Sequence, residues 1–147
     1  DNKLNAICKI IDAIQAEPEA RIDVVGMQSH IKTDYPGVNA FEKAVKTLTA
    51  KGLNVQVTEL DIANGKSTYN STQLKKVYKD YFEMFINNRK TADQKGIEGV
   101  TVWGINDEGT WLNAMPEYKG HTQYPLLFKN KNFICKPAFY GVIEAAE

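Results

Sequence analysis

Asn54-Val55-Gln56-Val57-Thr58-Glu59-Leu60-Asp61-Ile62 is the stretch on which the reading of this chain turns. Apolar and polar residues alternate in it with the period of a strand, and by that period Val55, Val57 and Glu59 share one side. A carboxylate therefore stands where the alternation asks for another apolar side chain. Taken alone, a Glu at a strand end is more often a solvated side chain or the partner of an Arg. The flanking pattern shifts that balance. One helix precedes this strand and another follows it, and in barrels of alternating strands and helices a polar residue at the carboxyl end of a strand belongs to the active site.

Upstream, Phe41, Ala44, Val45 and Leu48 take helical spacing after a Tyr35-Pro36-Gly37 turn. Asn39 with Glu42 reads as a capping box at the start of that helix, and Gly52 as a left-handed cap at its end. Before it, residues 22–27 read as a buried strand, since Val24, Val25 and Met27 leave no side for solvent, and the strand runs on into Gln28, Ser29 and His30. Leu4, Ile7, Cys8, Ile11 and Ile14 draw the apolar stripe of a first helix that Pro18 stops.

Downstream, the polar loop 63–71 suits the face where substrate loops gather. Leu74, Val77, Tyr78, Tyr81, Phe82 and Phe85 mark a third helix, and the polar stretch 87–96 returns the chain to the other end of the sheet. A third strand at 99–104 carries Val100, Val102 and Trp103. The aromatic-rich segment 105–133 has little periodicity, and loops of that size are generally functional. Lys136-Pro137 then opens a last helix, with Pro137 at its first position.

The 147 residues suffice for one domain, and 43% hydrophobic content is ordinary for a globular protein. Lys plus Arg and Asp plus Glu both number 18, so no net field draws the chain to nucleic acid or to an anionic membrane. No apolar run approaches the roughly 20 residues of a membrane span. The amino terminus opens directly into an amphipathic pattern, so the expectation is that a targeting segment was removed or never existed. Cys8 and Cys135 lie far apart without metal-type spacing and are read as buried free thiols. No Gly-rich turn follows a strand, and no metal, nucleotide or flavin is implied.

Three parallel strands and four helices make an α/β pattern, the last part of a (β/α)8 TIM barrel. Such barrels take about 250 residues, so residues 1–147 are expected to be the carboxyl-terminal portion of one catalytic domain. The amino-terminal half is then expected as a partner, either a second chain or a missing part of the same one.

The strand ends carry a consistent polar set. Gln28 and His30 end the first strand, Glu59 and Asp61 the second and Trp103 the third, with Trp111 a short loop beyond. Gly26-Met27-Gln28-Ser29-His30, Val57-Thr58-Glu59-Leu60-Asp61-Ile62, Val102-Trp103-Gly104 with Asp107 and Trp111, Tyr124-Pro125-Leu126-Leu127-Phe128 and Lys136-Pro137-Ala138 together resemble family 10 glycoside hydrolases, the barrel-type endo-1,4-β-xylanases. The likeness extends over nearly the whole chain, with the motifs in order.

That resemblance implies a retaining hydrolase of β-1,4-xylan in which Glu59 attacks the anomeric carbon. It implies that His30 donates a hydrogen bond to Glu59 and that Asp61 accepts one from the opposite ring nitrogen, holding the carboxylate ionised and oriented. Trp103 and Trp111 become walls for the pyranose ring, Gln28 reaches sugar hydroxyls, and the Trp103 indole N–H donates to one. The family's acid/base Glu follows an earlier strand in an Asn-Glu motif that this chain lacks. Glu98 precedes its strand, while Glu108 and Glu117 sit in the last loop as solvated side chains. The chain alone is thus expected to be inactive. A barrel endoglucanase, a bifunctional β-glycanase and a non-catalytic sugar-binding remnant remain as alternatives. The insoluble polymer that the resemblance names as substrate implies secretion. Tyr118, His121 and Tyr124 lie in the variable loop, and Asn70 suits both a glycosylation sequon and a helix cap.

Overall fold

The structure, a computed structural model, describes residues 2–147. Its order is α1 (Asn2–Ala16), β1 (Val24–Met27), β2 (His30–Lys32), α2 (Val38–Thr49), β3 (Asn54–Ala63), α3 (Ser71–Asn87), β4 (Ile97–Val102) and α4 (Pro137–Glu144). All strand pairings are parallel. β3 lies at the centre, with β1 and β2 in succession along its length and β4 also paired to it.

The first expected strand is thus two short ones. The break falls at Gln28-Ser29, where Ser29 takes φ 70°, a left-handed conformation uncommon for a residue with a Cβ. Nor is this strand buried: Val24 is 36% exposed, because β1 has β3 as its sole sheet neighbour among the described residues. The third strand runs at 97–102 rather than 99–104, and Glu98 lies within its amino-terminal end. Gly104 has φ 137° and a Cβ there would lie 2.8 Å from Leu126, so the chain turns away before it.

β3 contains the feature that sets the site. Met27 pairs with Val57 and His30 with Asp61, so three residues of β3, Thr58 to Leu60, face two of the neighbouring strand. On the other edge Val57 pairs with Val100 and Leu60 with Val102, again leaving β3 one residue longer. A bulge of this kind re-aims side chains. The apolar row that begins Val55 and Val57 consequently continues at Leu60 and Ile62, all four at most 1% exposed, and not at Glu59. Simple alternation puts Glu59, and with it Asp61, on the side of Val55 and Val57; the bulge turns both away from that row.

The core lies between the sheet and the helices. Phe41, Val45 and Leu48 of α2 and Leu74, Tyr78, Tyr81 and Phe85 of α3 pack on that β3 row. Burying each such side chain contributes about 1.5–3 kcal/mol. Two phenols enter the core because their hydroxyls find acceptors: Tyr78 donates to the Pro125 carbonyl at 2.7 Å and Tyr81 to that of Pro36 at 2.6 Å.

α2 starts two residues earlier than a capping box at Asn39 allows. Gly37 is its cap with no side-chain bond, and Glu42 instead pairs with Lys46 at 2.9 Å and accepts from Asn88 at 3.0 Å. Gly52 does take φ 83° after the helix, and Asn70 caps α3 by accepting from Gln73 N–H at 3.0 Å. Both cysteines are free thiols, and each is half-buried rather than buried. No helix among the described residues is long and apolar enough to cross a membrane.

Candidate active site

The carboxyl ends of the strands converge on four side chains in one contiguous series. His30 opens β2, and its Nε2 lies 3.0 Å from Glu59 Oε2. The opposite ring nitrogen, Nδ1, lies 3.1 Å from Asp61 Oδ2, off the direction of a well-formed hydrogen bond. Trp111, entering from the loop after β4, donates its indole Nε1–H to the same Asp61 oxygen at 2.8 Å. The Trp111 and His30 rings pack at 4.8 Å between centroids, tilted by 58°.

The electrostatics differ along this series. Glu59 keeps 23% of its side chain in solvent and His30 25%, whereas Asp61 keeps 1%. Burial pushes the Asp61 carboxyl above the usual range, the bond from Trp111 and the nearness of the His30 ring pull it back, and the Glu59 charge adds a further push upward. Asp61 Oδ1 is buried and has no hydrogen-bond partner among the described residues. Glu59 is thus the accessible carboxylate, and Asp61 is the enclosed one behind the imidazole.

Backbone contacts place these groups. Glu59 N–H donates to the Gln28 carbonyl at 2.8 Å, and Trp103 N–H donates to that of Leu60 at 2.9 Å. Gln28 therefore borders Glu59 through its main chain. Trp103 stands beside the bulge with its side chain 45% exposed. Of the six predicted residues, the structure links Glu59, His30, Asp61 and Trp111 by side chains, and brings Gln28 and Trp103 to the same strand ends without such a link.

The other acidic candidates lie apart. Glu98, at the opposite end of the sheet, accepts from Asn54 at 2.8 Å and from Lys90 at 2.7 Å. Glu108 is exposed and bonded to the Lys131 N–H, and Glu117 is exposed. Among the described residues no cluster of three or more His, Cys, Asp or Glu could hold a metal ion.

Sequence reasoning gave no role to the group that fixes the last loop. Lys136 and Asp107, 6% and 5% exposed, pair at 2.6 Å. Lys136 Nζ also donates to the Tyr124 carbonyl at 2.7 Å, and Asp107 Oδ1 accepts from Leu126 N–H at 2.9 Å. Burial pushes Asp107 up and Lys136 down, each partly offset by the other. Gln123, fully buried, fastens the 63–71 loop by donating to and accepting from the backbone of Gly65. Tyr118 is buried, whereas His121 and Tyr124 are exposed. The motif company of Asp107 and Lys136 was the only sequence signal for this clamp, and Gln123 offered none.

Comparison with known proteins gives the family and the fold. The profile of Glycosyl hydrolase family 10 matches residues 1–145. Endo-1,4-beta-xylanase A of Xylanibacter ruminicola is 34% identical over 168 residues, covering 99% of this chain and 44% of the relative. A thermostable celloxylanase of Thermoclostridium stercorarium is 33% identical over 134 residues, covering 84% of this chain and 33% of that protein. Among solved structures, xylanase Xyn10A of Cellvibrio japonicus superposes with TM-score 0.82 at 26% identity, covering 99% of this chain and 45% of that one. A mutant of xylanase 10C from the same organism, in complex with xylopentaose, gives TM-score 0.83 at 29% identity over 97% of this chain and 31% of that one. The chain spans less than half the length of these relatives and covers part of their (β/α)8 barrel. By sequence and by fold, then, it belongs to glycosyl hydrolase family 10.

Proposed function

We propose that residues 1–147 are the carboxyl-terminal portion of a retaining endo-1,4-β-xylanase, with Glu59 as nucleophile and the acid/base carboxyl on an amino-terminal portion of the same barrel. The observation that carries this reading is the series Glu59, His30, Asp61 at the carboxyl end of a parallel sheet in a chain of this family. A nucleophile must be accessible yet held. Glu59 has one oxygen on His30 at 3.0 Å and part of its surface open.

In the first half of the reaction a Glu59 oxygen bonds to the anomeric carbon as the glycosidic C–O bond breaks, and the departing oxygen takes a proton from a second carboxyl about 5–5.5 Å away. In the second half that carboxylate removes a proton from water. The water oxygen attacks the same carbon and releases Glu59, restoring the original configuration. Indole faces suit the C–H faces of a pyranose, so Trp103 and Trp111 serve as walls, and Gln28 serves hydroxyls. The substrate is xylan or a xylooligosaccharide, whose polymeric form places the enzyme outside the cell.

The amino-terminal partner is supported by the sheet. Among the described residues β1 pairs with β3 alone, and β4 with β3 and, at Ile97 only, with a single bridge to Arg89, so both outer edges lack a neighbouring strand. Trp103 and Ile105 stand 45% and 67% exposed beside the site. Unpaired edges and exposed apolar surface favour association.

The test is to combine the chain with the amino-terminal portion of a family 10 barrel and assay reducing ends from xylan. Glu59→Ala abolishes hydrolysis, and azide restores turnover with an α-glycosyl azide as product. A β-configured azide, or undiminished hydrolysis without azide, removes Glu59 from the nucleophile's role. Binding of xylooligosaccharide without cleavage by the unmutated assembly makes the protein a sugar-binding remnant. The similarity to a celloxylanase favours one second reading, a bifunctional β-glycanase. Cellohexaose in the same assay reports it.

A further inference from the structure

Trp111 is more than a wall. We propose that it is a positioning residue for Glu59, acting through Asp61 and His30 by way of its indole N–H; this rests on the reading of Glu59 as nucleophile.

The argument begins with what Asp61 can bond to. Its side chain is 1% exposed, and the only well-directed side-chain donor it receives among the described residues is Trp111 Nε1–H at 2.8 Å. An indole N–H is a donor that cannot accept, and it does not titrate in the working range. It therefore favours the ionised carboxylate under all conditions of turnover. His30 lies between two carboxylate oxygens, Glu59 Oε2 at 3.0 Å and Asp61 Oδ2 at 3.1 Å. A neutral imidazole donates to only one of them, whereas the doubly protonated ring donates to both. Whether Asp61 is charged thus decides which nitrogen of His30 carries a proton and how Glu59 is held.

Trp111 is itself fixed. It opens a 3-10 turn, 111–114, in which the Thr110 hydroxyl accepts from Leu112 N–H at 3.3 Å. Leu112 is buried against Ala63 and Tyr118, at the end of β3. The turn thus packs on the strand that carries Asp61 and Glu59, and the ring packs on His30 at 4.8 Å. The titratable groups around Asp61 are Glu59 on its own strand, His30 on β2, Tyr78 on α3 and Tyr118 in the 116–118 turn.

The test separates the indole N–H from the aromatic face. Trp111→Phe keeps a face for the sugar and removes the donor. In the assembled enzyme acting on 4-nitrophenyl β-xylobioside, the expected result is a fall in kcat of about ten-fold with KM little changed. The acid limb of the kcat/KM profile moves to higher pH, because loss of a donor to the charged form of Asp61 raises its carboxyl further. An unchanged profile, or a loss confined to KM, makes Trp111 a wall only and overturns the proposal.

A second readout does not need turnover. The chain has two histidines, His30 and His121, so labelling it with 15N-histidine within an unlabelled assembly gives two separable imidazoles. Trp111→Phe is expected to shift the ring 15N resonances of His30, which lies 3.1 Å from the Asp61 oxygen that Trp111 bonds, leaving those of His121 as internal control. Superimposable His30 resonances in the variant and the parent overturn the proposal. If Glu59→Gln leaves hydrolysis intact the nucleophile assignment fails, yet the His30 spectra still report the coupling through Asp61.

Discussion

Asp61 and Asp107 are both buried carboxylates, both pushed upward by burial, and they sit in different kinds of surroundings. Asp107 is closed: a lysine ammonium lies 2.6 Å from one oxygen, and the other accepts a backbone N–H at 2.9 Å. Asp61 is compensated in part. One oxygen takes the Trp111 indole and faces the imidazole, while the other has no partner among the described residues. A fully compensated charge can fix a loop and do nothing else. A partly compensated one, next to a titratable ring that touches an accessible carboxylate, can change state. On the function proposed, the Asp107 end of the last loop serves stability and the Asp61 end serves chemistry.

The largest effect expected from breaking this contrast is at Lys136. Lys136→Met strands Asp107 as a buried charge and is expected to cost about 3–5 kcal/mol in urea unfolding. A loss below about 1 kcal/mol would show that the pair is not the clamp described.

Tyr78→Phe probes the joint between the two regions, since the Pro125 carbonyl takes the Tyr78 hydroxyl at 2.7 Å and the Ile62 N–H at 3.4 Å. Its expected cost is about 1 kcal/mol, measured in the same way.

Asp61→Asn is expected to change stability by less than about 1 kcal/mol at neutral pH, because the amide keeps an acceptor for Trp111 and removes a charge that burial disfavours. The sign with pH follows from the raised carboxyl. The folded state holds the Asp61 proton more tightly than the unfolded chain, so this contribution is fully present below the unfolded value near 3.9 and is lost as pH rises through the folded one. Asp61→Asn should therefore flatten the fall in stability on the alkaline side of about pH 4. An unaltered slope would place the titration elsewhere.

The helices and strands were legible because their apolar spacing is local: Leu4, Ile7 and Ile11 of the α1 stripe, the Leu74 to Phe85 series of α3 and the Val55, Val57 start of β3 are packed as their periods require. The site was legible as a set of residue types at strand ends. What the sequence concealed depends on contacts between distant segments. The bulge at Thr58 to Leu60 contains no glycine and arises from pairing to two neighbours. Simple alternation consequently gave Glu59 the wrong face. The bond from Trp111 to Asp61 spans 50 residues and the bonds of Gln123 to Gly65 span 58, so no local pattern announces them. The capping box failed for a smaller reason: Glu42 has a better partner in Lys46, one turn ahead.

The central claim is that Glu59 becomes bonded to the sugar. An activated 2-deoxy-2-fluoro-xylobioside, given to the chain assembled with its amino-terminal portion, slows release of the covalent intermediate enough for digestion and mass spectrometry. The account predicts the label on Glu59, in the peptide that also carries Asp61. A label on any other residue, or rapid turnover to a product of inverted configuration with no labelled peptide, would contradict it.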